Sequence, residues 1–173
     1  MFTFMQIYEM ALNRVNEDTT SPNATVLAVI KAGVNQGYML MAATVDKRTT
    51  TVDMPSASSV PLPLDIIEVV NLSHSVIGDL SPVDYKGSAD LLYIKSQDIG
   101  VGVLTLTYAQ YPSQLVADSD VVHIKDGLAS ALASYAGYTY QLYRKKYSAA
   151  QLLFAEFQSF QGLSTQFIPI PNE

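Results

Sequence analysis

The 173-residue sequence contains no cysteine and no tryptophan, and it has little charge of either sign. Without cysteine, disulfide bonds and thiolate metal sites are excluded. Charged residues make up only 15% of the chain, whereas ordinary globular chains have about 25%. Acidic residues outnumber basic ones and give a formal net charge of −6. This balance argues against a protein that reads nucleic-acid sequence, because such proteins need a basic footprint.

Catalytic and metal-binding patterns are missing as well. His74 and His123 lie in different segments, and Asp126 is the one candidate partner near His123, whereas a zinc site needs three or four ligands. We expect both histidines to be structural or exposed. Asp118 and Asp120 form the closest carboxylate cluster, and we interpret them as capping a helix start. Serine-nucleophile, Walker A and dinucleotide motifs do not occur. The sequence therefore predicts no catalytic residue, no metal, no cofactor and no enzyme.

The chain also lacks an apolar run of the roughly 18–20 residues that a membrane span requires. Its first residues, MFTFMQIYEM, have neither the positive start nor the cleavage site of a signal peptide. We expect no membrane partner.

Helical patterning is present at both ends of the chain. Helices 1 and 2 are predicted within residues 3–44: the first at 4–16 behind a Thr3/Gln6 capping box, the second from Ser21-Pro22 to about Ala43. Gly33 and Gly37 lie four residues apart on the second helix, which indicates either close packing against another backbone or chance. Helices 3 and 4 are predicted within 120–161.

The boundary between helices 3 and 4 is predicted from local signals. Helix 3 is expected from near Asp120 to about Lys146, with apolar residues on more than one face. Ser148 and Gln151 form a second capping-box pattern, which predicts that helix 4 begins at Ala149.

Residues 47–111 change to strand-like patterning. The best strand is at 100–111, where apolar and polar residues alternate, whereas the Pro/Ser-rich stretch 54–63 is predicted to be loop or extended chain. We expect a small antiparallel sheet of about four strands inserted between the helices. The predicted fold is thus α+β: mainly a bundle of about four helices with an inserted sheet, forming one domain at 1–163, followed by an extended C-terminal arm at 164–173.

Three sets of residues are candidate partner-binding sites. The arm is apolar and contains two prolines, so it either docks on a partner or is a simple tail. Tyrosine is abundant on helix 3 and suits either interfaces or ordinary packing. The basic run either complements the dipole of helix 3 or contacts an acidic neighbour or phosphate. The candidates are Phe167, Ile168, Pro169, Ile170 and Pro171 in the arm, Tyr138 and Tyr143 on helix 3, and Arg144, Lys145 and Lys146 in the basic run.

The order of these elements resembles that of a known family. Two helices lead into the segment LPLDIIEVV at 62–70, a strand ends in TYAQYPSQL, and a helix carrying LASALASYAGYTY follows an acidic loop. In these features, over about residues 3–160, the chain is similar to the head–tail connector, or adaptor, proteins of tailed bacteriophages.

The resemblance implies a structural protein of the virion. Such proteins are assembled in the host cytoplasm into a ring, usually dodecameric, beneath the portal at the head–tail junction. The ring extends the DNA channel and contacts the next neck or tail protein, and double-stranded DNA passes without sequence-specific binding. An upper tail-tube or neck protein of the same superfamily is an alternative, and so is a small non-enzymatic ligand- or peptide-binding module.

Overall fold

A computed structural model describes residues 1–44, 48–82, 84–88, 90–95 and 102–161. Along the chain it has four α-helices, one 3₁₀ turn and nine strands within these residues. In order they are β1 (Phe2–Thr3), α1 (Phe4–Arg14), α2 (Ala24–Thr44), β2 (Arg48–Pro55), β3 (Ser59–Pro61), β4 (Ile66–His74), β5 (Gly78–Asp79), β6 (Tyr85–Gly87), β7 (Leu91–Ile94), β8 (Val103–Gln110), β9 (Val121–Val122), the 3₁₀ turn (Asp126–Leu128), α3 (Ala129–Tyr143) and α4 (Tyr147–Gln161).

The fold is α+β, but the expectation of a predominantly helical bundle is wrong. Among the described residues, helices account for 42% and strands for 28%, in several antiparallel sheets. The strands have a hydrophobic core of their own, so they are more than a small insertion. Two compact units result, one made of Met1–Met41 and Ser113–Glu173, the other of Ala42–Pro112.

The helical unit begins with the predicted capping box. Thr3 Oγ1 accepts a hydrogen bond from the Gln6 backbone N–H at 3.3 Å, and Gln6 Oε1 accepts one from the Thr3 N–H at 2.9 Å. Both bonds satisfy N–H groups that a helix start leaves unpaired. Strand β1 lies just before this cap and pairs antiparallel with β9 through Phe2 and Val122.

Close packing between α2 and α3 explains one of the glycines on α2. A Cβ added at Gly33 would lie 2.2 Å from Thr139 Oγ1 and 3.0 Å from the Ala136 Cα atom. The two backbones therefore approach more closely than any side chain at position 33 allows, and the close-packing interpretation is confirmed.

Both boundaries predicted around α3 and α4 are wrong. Helix α3 begins at Ala129 instead of near Asp120, because Val121 and Val122 are drawn into the pairing with β1. Helix α4 begins at Tyr147, two residues before the expected start, since the Ala150 N–H already bonds to the Lys146 carbonyl at 3.0 Å. Ser148 is thus inside the helix and caps nothing.

A tight turn separates the two helices. Lys145 has φ 56°, in the left-handed region, and its N–H bonds to the Leu142 carbonyl at 2.9 Å. The Lys146 N–H bonds to the Gln141 carbonyl at 2.9 Å. This pair of bonds is a Schellman motif, in which glycine usually holds the left-handed position.

The β unit contains two antiparallel sheets, ordered β2-β8-β4-β5 and β3-β7-β6. Strand β8 is central to the first sheet, as its alternating pattern predicts. Strand β3 lies inside the stretch predicted to be loop or extended chain, and its Val60 pairs with Leu92 of β7. Pro61 is tolerated because it ends a strand at the edge of the sheet. The fully buried side chains of this core are Leu72, Leu92, Leu104 and Leu106.

Candidate functional site

The described residues place the basic run at the end of α3. Helix α3 ends at Tyr143, so Arg144 is its C-cap residue and the two lysines follow it; all three side chains are exposed. Arg144 Nη1 donates to the Tyr140 hydroxyl at 2.8 Å and lies 3.6 Å from Glu17 Oε1. Within this chain, Arg144 is therefore already engaged, whereas no ion pair involving Lys145 or Lys146 is found in the described part of the structure.

Tyr140 is a buried residue whose hydroxyl contacts both Glu17 and Arg144. Its hydroxyl donates to Glu17 Oε1 and accepts from Arg144. Burial is the main cause that raises the pKa of Tyr140, and the hydrogen bond to Glu17 raises it further, while Arg144 opposes the shift. The hydroxyl therefore stays protonated and serves as a donor at neutral pH.

The tyrosines of α3 have two different environments. Tyr135 and Tyr138 pack on α4: their rings lie 4.9 Å from Phe157 and 4.8 Å from Phe154, respectively, between centroids. Burial raises the pKa of both hydroxyls. Tyr143 is 57% exposed. Tyr138 thus contributes mainly to packing between helices, and Tyr143 is the candidate available to a partner.

The five arm candidates, Phe167, Ile168, Pro169, Ile170 and Pro171, lie outside the described residues.

A groove that the sequence did not predict lies in the helical unit. It has a volume of about 510 Å³ and is lined by Asn35, Gln36 and Met39 of α2, Gln114, and Tyr135 of α3. Asn35 holds the segment that carries Gln114 in place, since its side chain accepts from the Leu115 N–H at 2.8 Å and donates to the Leu115 carbonyl at 3.0 Å. We call this hollow the Tyr135 groove.

The side of α2 that faces solvent is nearly uncharged. Five of its exposed residues, which we call the outer face of α2, are Thr25, Ala28, Ala32, Gln36 and Met39. They recur at spacings of three and four and so share one side of the helix. Lys31, the one charged residue of α2, contacts Asp118 with its Nζ at 2.6 Å from Oδ1.

The expectation that no apolar segment is long enough for a membrane span is wrong for α2. Residues Ala24–Ala43 are long and apolar enough to cross a bilayer, and 39% of that window is buried inside the protein. The opposite side of the helix belongs to the protein core, where Ile30, Val34 and Met41 are fully buried. A core helix accounts for this composition, so it is weak evidence for a membrane.

His74 and Ser56 form a pair that superficially resembles a catalytic dyad. Ser56 Oγ lies 3.1 Å from His74 Nε2. His74 Nδ1, however, accepts from the backbone N–H groups of Val76 and Ile77, each at 3.3 Å. The proton of the neutral ring is then on Nε2, where it is donated to Ser56. The imidazole cannot take a proton from Ser56 in this arrangement. Instead, His74 holds the β4–β5 turn through Nδ1 and connects it to Ser56 through Nε2.

Metal-ligating side chains are dispersed. Within the part of the chain that the structure describes, no three His, Asp or Glu residues are grouped closely enough to hold a metal ion.

Comparison of the sequence with protein-family models finds no match, and a search of curated proteins finds none either. The resemblance to head–tail connectors therefore depends on the sequence features alone.

Proposed function

We propose that this chain is a non-enzymatic structural protein of a tailed-phage virion, which forms a ring at the head–tail junction beneath the portal and joins the capsid to the tail. The observation that carries the proposal is the outer face of α2. It is an uncharged strip on a 21-residue helix, and the one cation of that helix is paired within its own chain. Such a face is stabilised when another protein surface covers it.

A second copy of the chain is the partner that fits this strip best. Ala28 and Ala32 are small, so another surface can approach the α2 backbone closely. The strip offers no charge that would select a partner of opposite sign. Contacts between identical copies close into rings when the rotation between neighbours is an exact fraction of a turn.

The charge of the chain suits a DNA channel. A net charge of −6 and a pI of about 4.7 give no overall attraction to phosphate. Strong binding of DNA depends on lysine and arginine contacts that neutralise phosphates. A weakly charged, acidic ring would let the duplex slide instead of holding it.

The first experiment measures assembly. Mass photometry over a concentration series, with and without purified portal, should show a discrete ring species for the wild-type chain in at least one condition. A strict monomer in every condition would refute the proposal. Negative-stain images of virions that contain a tagged copy should then show the tag at the head–tail junction.

A pair of variants tests the role of the α2 face. Ala28→Glu with Ala32→Glu adds two charges there without lowering helix propensity much, and we expect it to abolish the ring while the circular dichroism spectrum stays unchanged. Leu152→Glu adds a charge at another exposed apolar position, 74% exposed on α4, and is the matched control. Rings formed equally by both variants would show that another face makes the contact.

The Tyr135 groove supports one alternative, a small peptide-binding module. A chain that remains monomeric and binds peptides with an affinity that depends on groove residues would favour that function.

A further inference from the structure

The Tyr135 groove combines an apolar lining with polar groups for which no partner is found among the described residues. Met39 is 39% exposed, and the Tyr135 ring supplies the aromatic surface. Within the described part of the chain, no hydrogen bond is found for the side-chain amides of Gln36 and Gln114 or for the Tyr135 hydroxyl. The groove therefore offers one aromatic surface and several hydrogen-bonding groups to whatever occupies it.

The C-terminal end of α4 lies beside this groove. The ring of Phe157 on α4 contacts the ring of Tyr135, with 4.9 Å between their centroids. Helix α4 ends at Gln161, one turn after Phe157, and a helical turn advances about 5.4 Å. The residues that follow therefore begin within a short distance of Tyr135.

The length of the following segment is sufficient. Phe167 is six residues beyond Gln161, which corresponds to about 20 Å of extended chain. A groove next to the end of α4 is well within that reach, without any contribution from a second molecule.

The chemistry of the segment matches the groove. The sequence from Phe167 to Pro171 is FIPIP, in which large apolar side chains alternate with prolines. Proline has no N–H, so such a segment cannot form a continuous ladder of backbone hydrogen bonds in a sheet, and some of its carbonyls are left to accept from side chains. Extended proline-containing segments are bound by grooves that combine aromatic rings with side-chain donors to the free carbonyls. Gln36, Gln114 and Tyr135 supply these groups.

We propose that, in the free protein, the Tyr135 groove binds residues 167–171 of its own chain. This contact covers Met39 and the Tyr135 ring, and it keeps an apolar segment out of solvent until a partner takes it. The inference does not depend on ring assembly, because it concerns the isolated chain.

Disulfide trapping tests the contact directly, because the natural chain has no cysteine. The full-length variant Met39→Cys with Ile168→Cys should form an intramolecular disulfide under mild oxidation, detected by non-reducing electrophoresis and peptide mass mapping. The matched control is Thr25→Cys with Ile168→Cys. Thr25 is exposed on the same face of α2, and fourteen helical residues place it about 21 Å from position 39.

The outcomes separate the possibilities. At micromolar protein concentration we expect the groove pair to be trapped at least tenfold faster than the control, with a rate that does not change on dilution. Equal rates for the two pairs would overturn the proposal. Covalent dimers that disappear on dilution would overturn it as well, and would assign the groove to the segment of a second copy.

Limited proteolysis provides a second measurement with an intact wild-type groove. Chymotrypsin cleavage after Phe167 should be slow in the wild type and at least fivefold faster in Met39→Glu, whereas Thr25→Glu should match the wild type. Identical cleavage rates in all three chains would contradict docking of the segment.

Discussion

Lys31 Nζ lies 2.6 Å from Asp118 Oδ1 and, at the same time, 4.6 Å from the centroid of the Tyr8 ring. One ammonium group thus joins α2, α1 and the loop that leads to β9. The hydrogen bond from Lys31 is the main cause that lowers the pKa of Asp118, against a smaller opposing effect of burial.

The first prediction concerns this pair and pH. Because the pKa of Asp118 is lower in the folded state, the pair stabilises the fold above the ordinary carboxyl pKa of about 3.9. That stabilisation is lost as the pH falls through the lowered folded value. In Lys31→Gln, we expect the pKa of Asp118 to move up towards its ordinary value in an NMR titration. Asp18 is the internal control: its pKa is lowered by hydrogen bonds from Thr20 and should not move. An unchanged Asp118 would contradict the assignment.

The second prediction concerns the contact between α2 and α3. Gly33→Ala improves intrinsic helix propensity by about 1 kcal/mol, but its methyl group would overlap Thr139 Oγ1 and press on the Ala136 backbone. Overpacking of this kind costs about 1–3 kcal/mol. We expect a lower free energy of unfolding in urea, by about 1 kcal/mol or more. Gly127→Ala, where an added Cβ meets nothing within 4 Å, should be close to neutral. Thr139→Ala in the Gly33→Ala background should restore part of the loss, because it removes only one of the two close contacts.

The third prediction concerns the turn between α3 and α4. Lys145 adopts a left-handed conformation, which costs an L-residue with a side chain about 1 kcal/mol relative to glycine. Lys145→Gly should therefore raise the free energy of unfolding by about that amount. Lys146→Gly removes the same charge at a neighbouring position that is not left-handed and should give no gain. Equal effects from the two variants would indicate that charge, and not backbone strain, decides the result.

The fourth prediction concerns the arm and follows from the proposed function. Deleting residues 164–173 should leave the circular dichroism spectrum of the folded chain unchanged, while the fraction of protein that co-sediments with portal falls. A control variant, in which a Gly/Ser sequence of the same length replaces the arm, keeps the chain length and removes only the apolar side chains. If the deletion variant and the Gly/Ser variant co-sediment with portal as well as the wild type does, the arm does not contact the portal.

Local patterns predicted those features of the fold that depend on neighbours in sequence. The Thr3/Gln6 capping box depends only on two residues that are three apart in sequence. The alternation of apolar and polar residues in β8 likewise predicts a strand with one buried face. The same local rule failed at Ser148, because the turn at Lys145 and Lys146 starts the helix earlier. Helix α3 is shorter than predicted because Val122 pairs with Phe2 instead of being helical. A local sequence pattern cannot predict a contact between residues so far apart in the chain.

The Tyr135 groove could not have been predicted for the same reason. Met39, Gln114 and Tyr135 come from three separate segments, and only folding brings them together. The sequence did supply its candidate occupant, since the apolar, proline-containing arm is visible by composition alone. The position of the end of α4 beside Tyr135 turns this apolar composition into a specific proposal for where the arm binds.

Direct backbone contact at Gly33 has a consequence for assembly geometry. Because α2 packs directly against the Ala136 backbone at Gly33, the distance between the two helices there does not depend on the rotamer of a side chain at position 33. In a closed ring, the same interface angle is repeated between every pair of neighbouring copies. A variable angle at that interface therefore prevents the ring from closing. In the ring proposed above, the packing at Gly33 would hold the outer face of α2 in the same position in every copy.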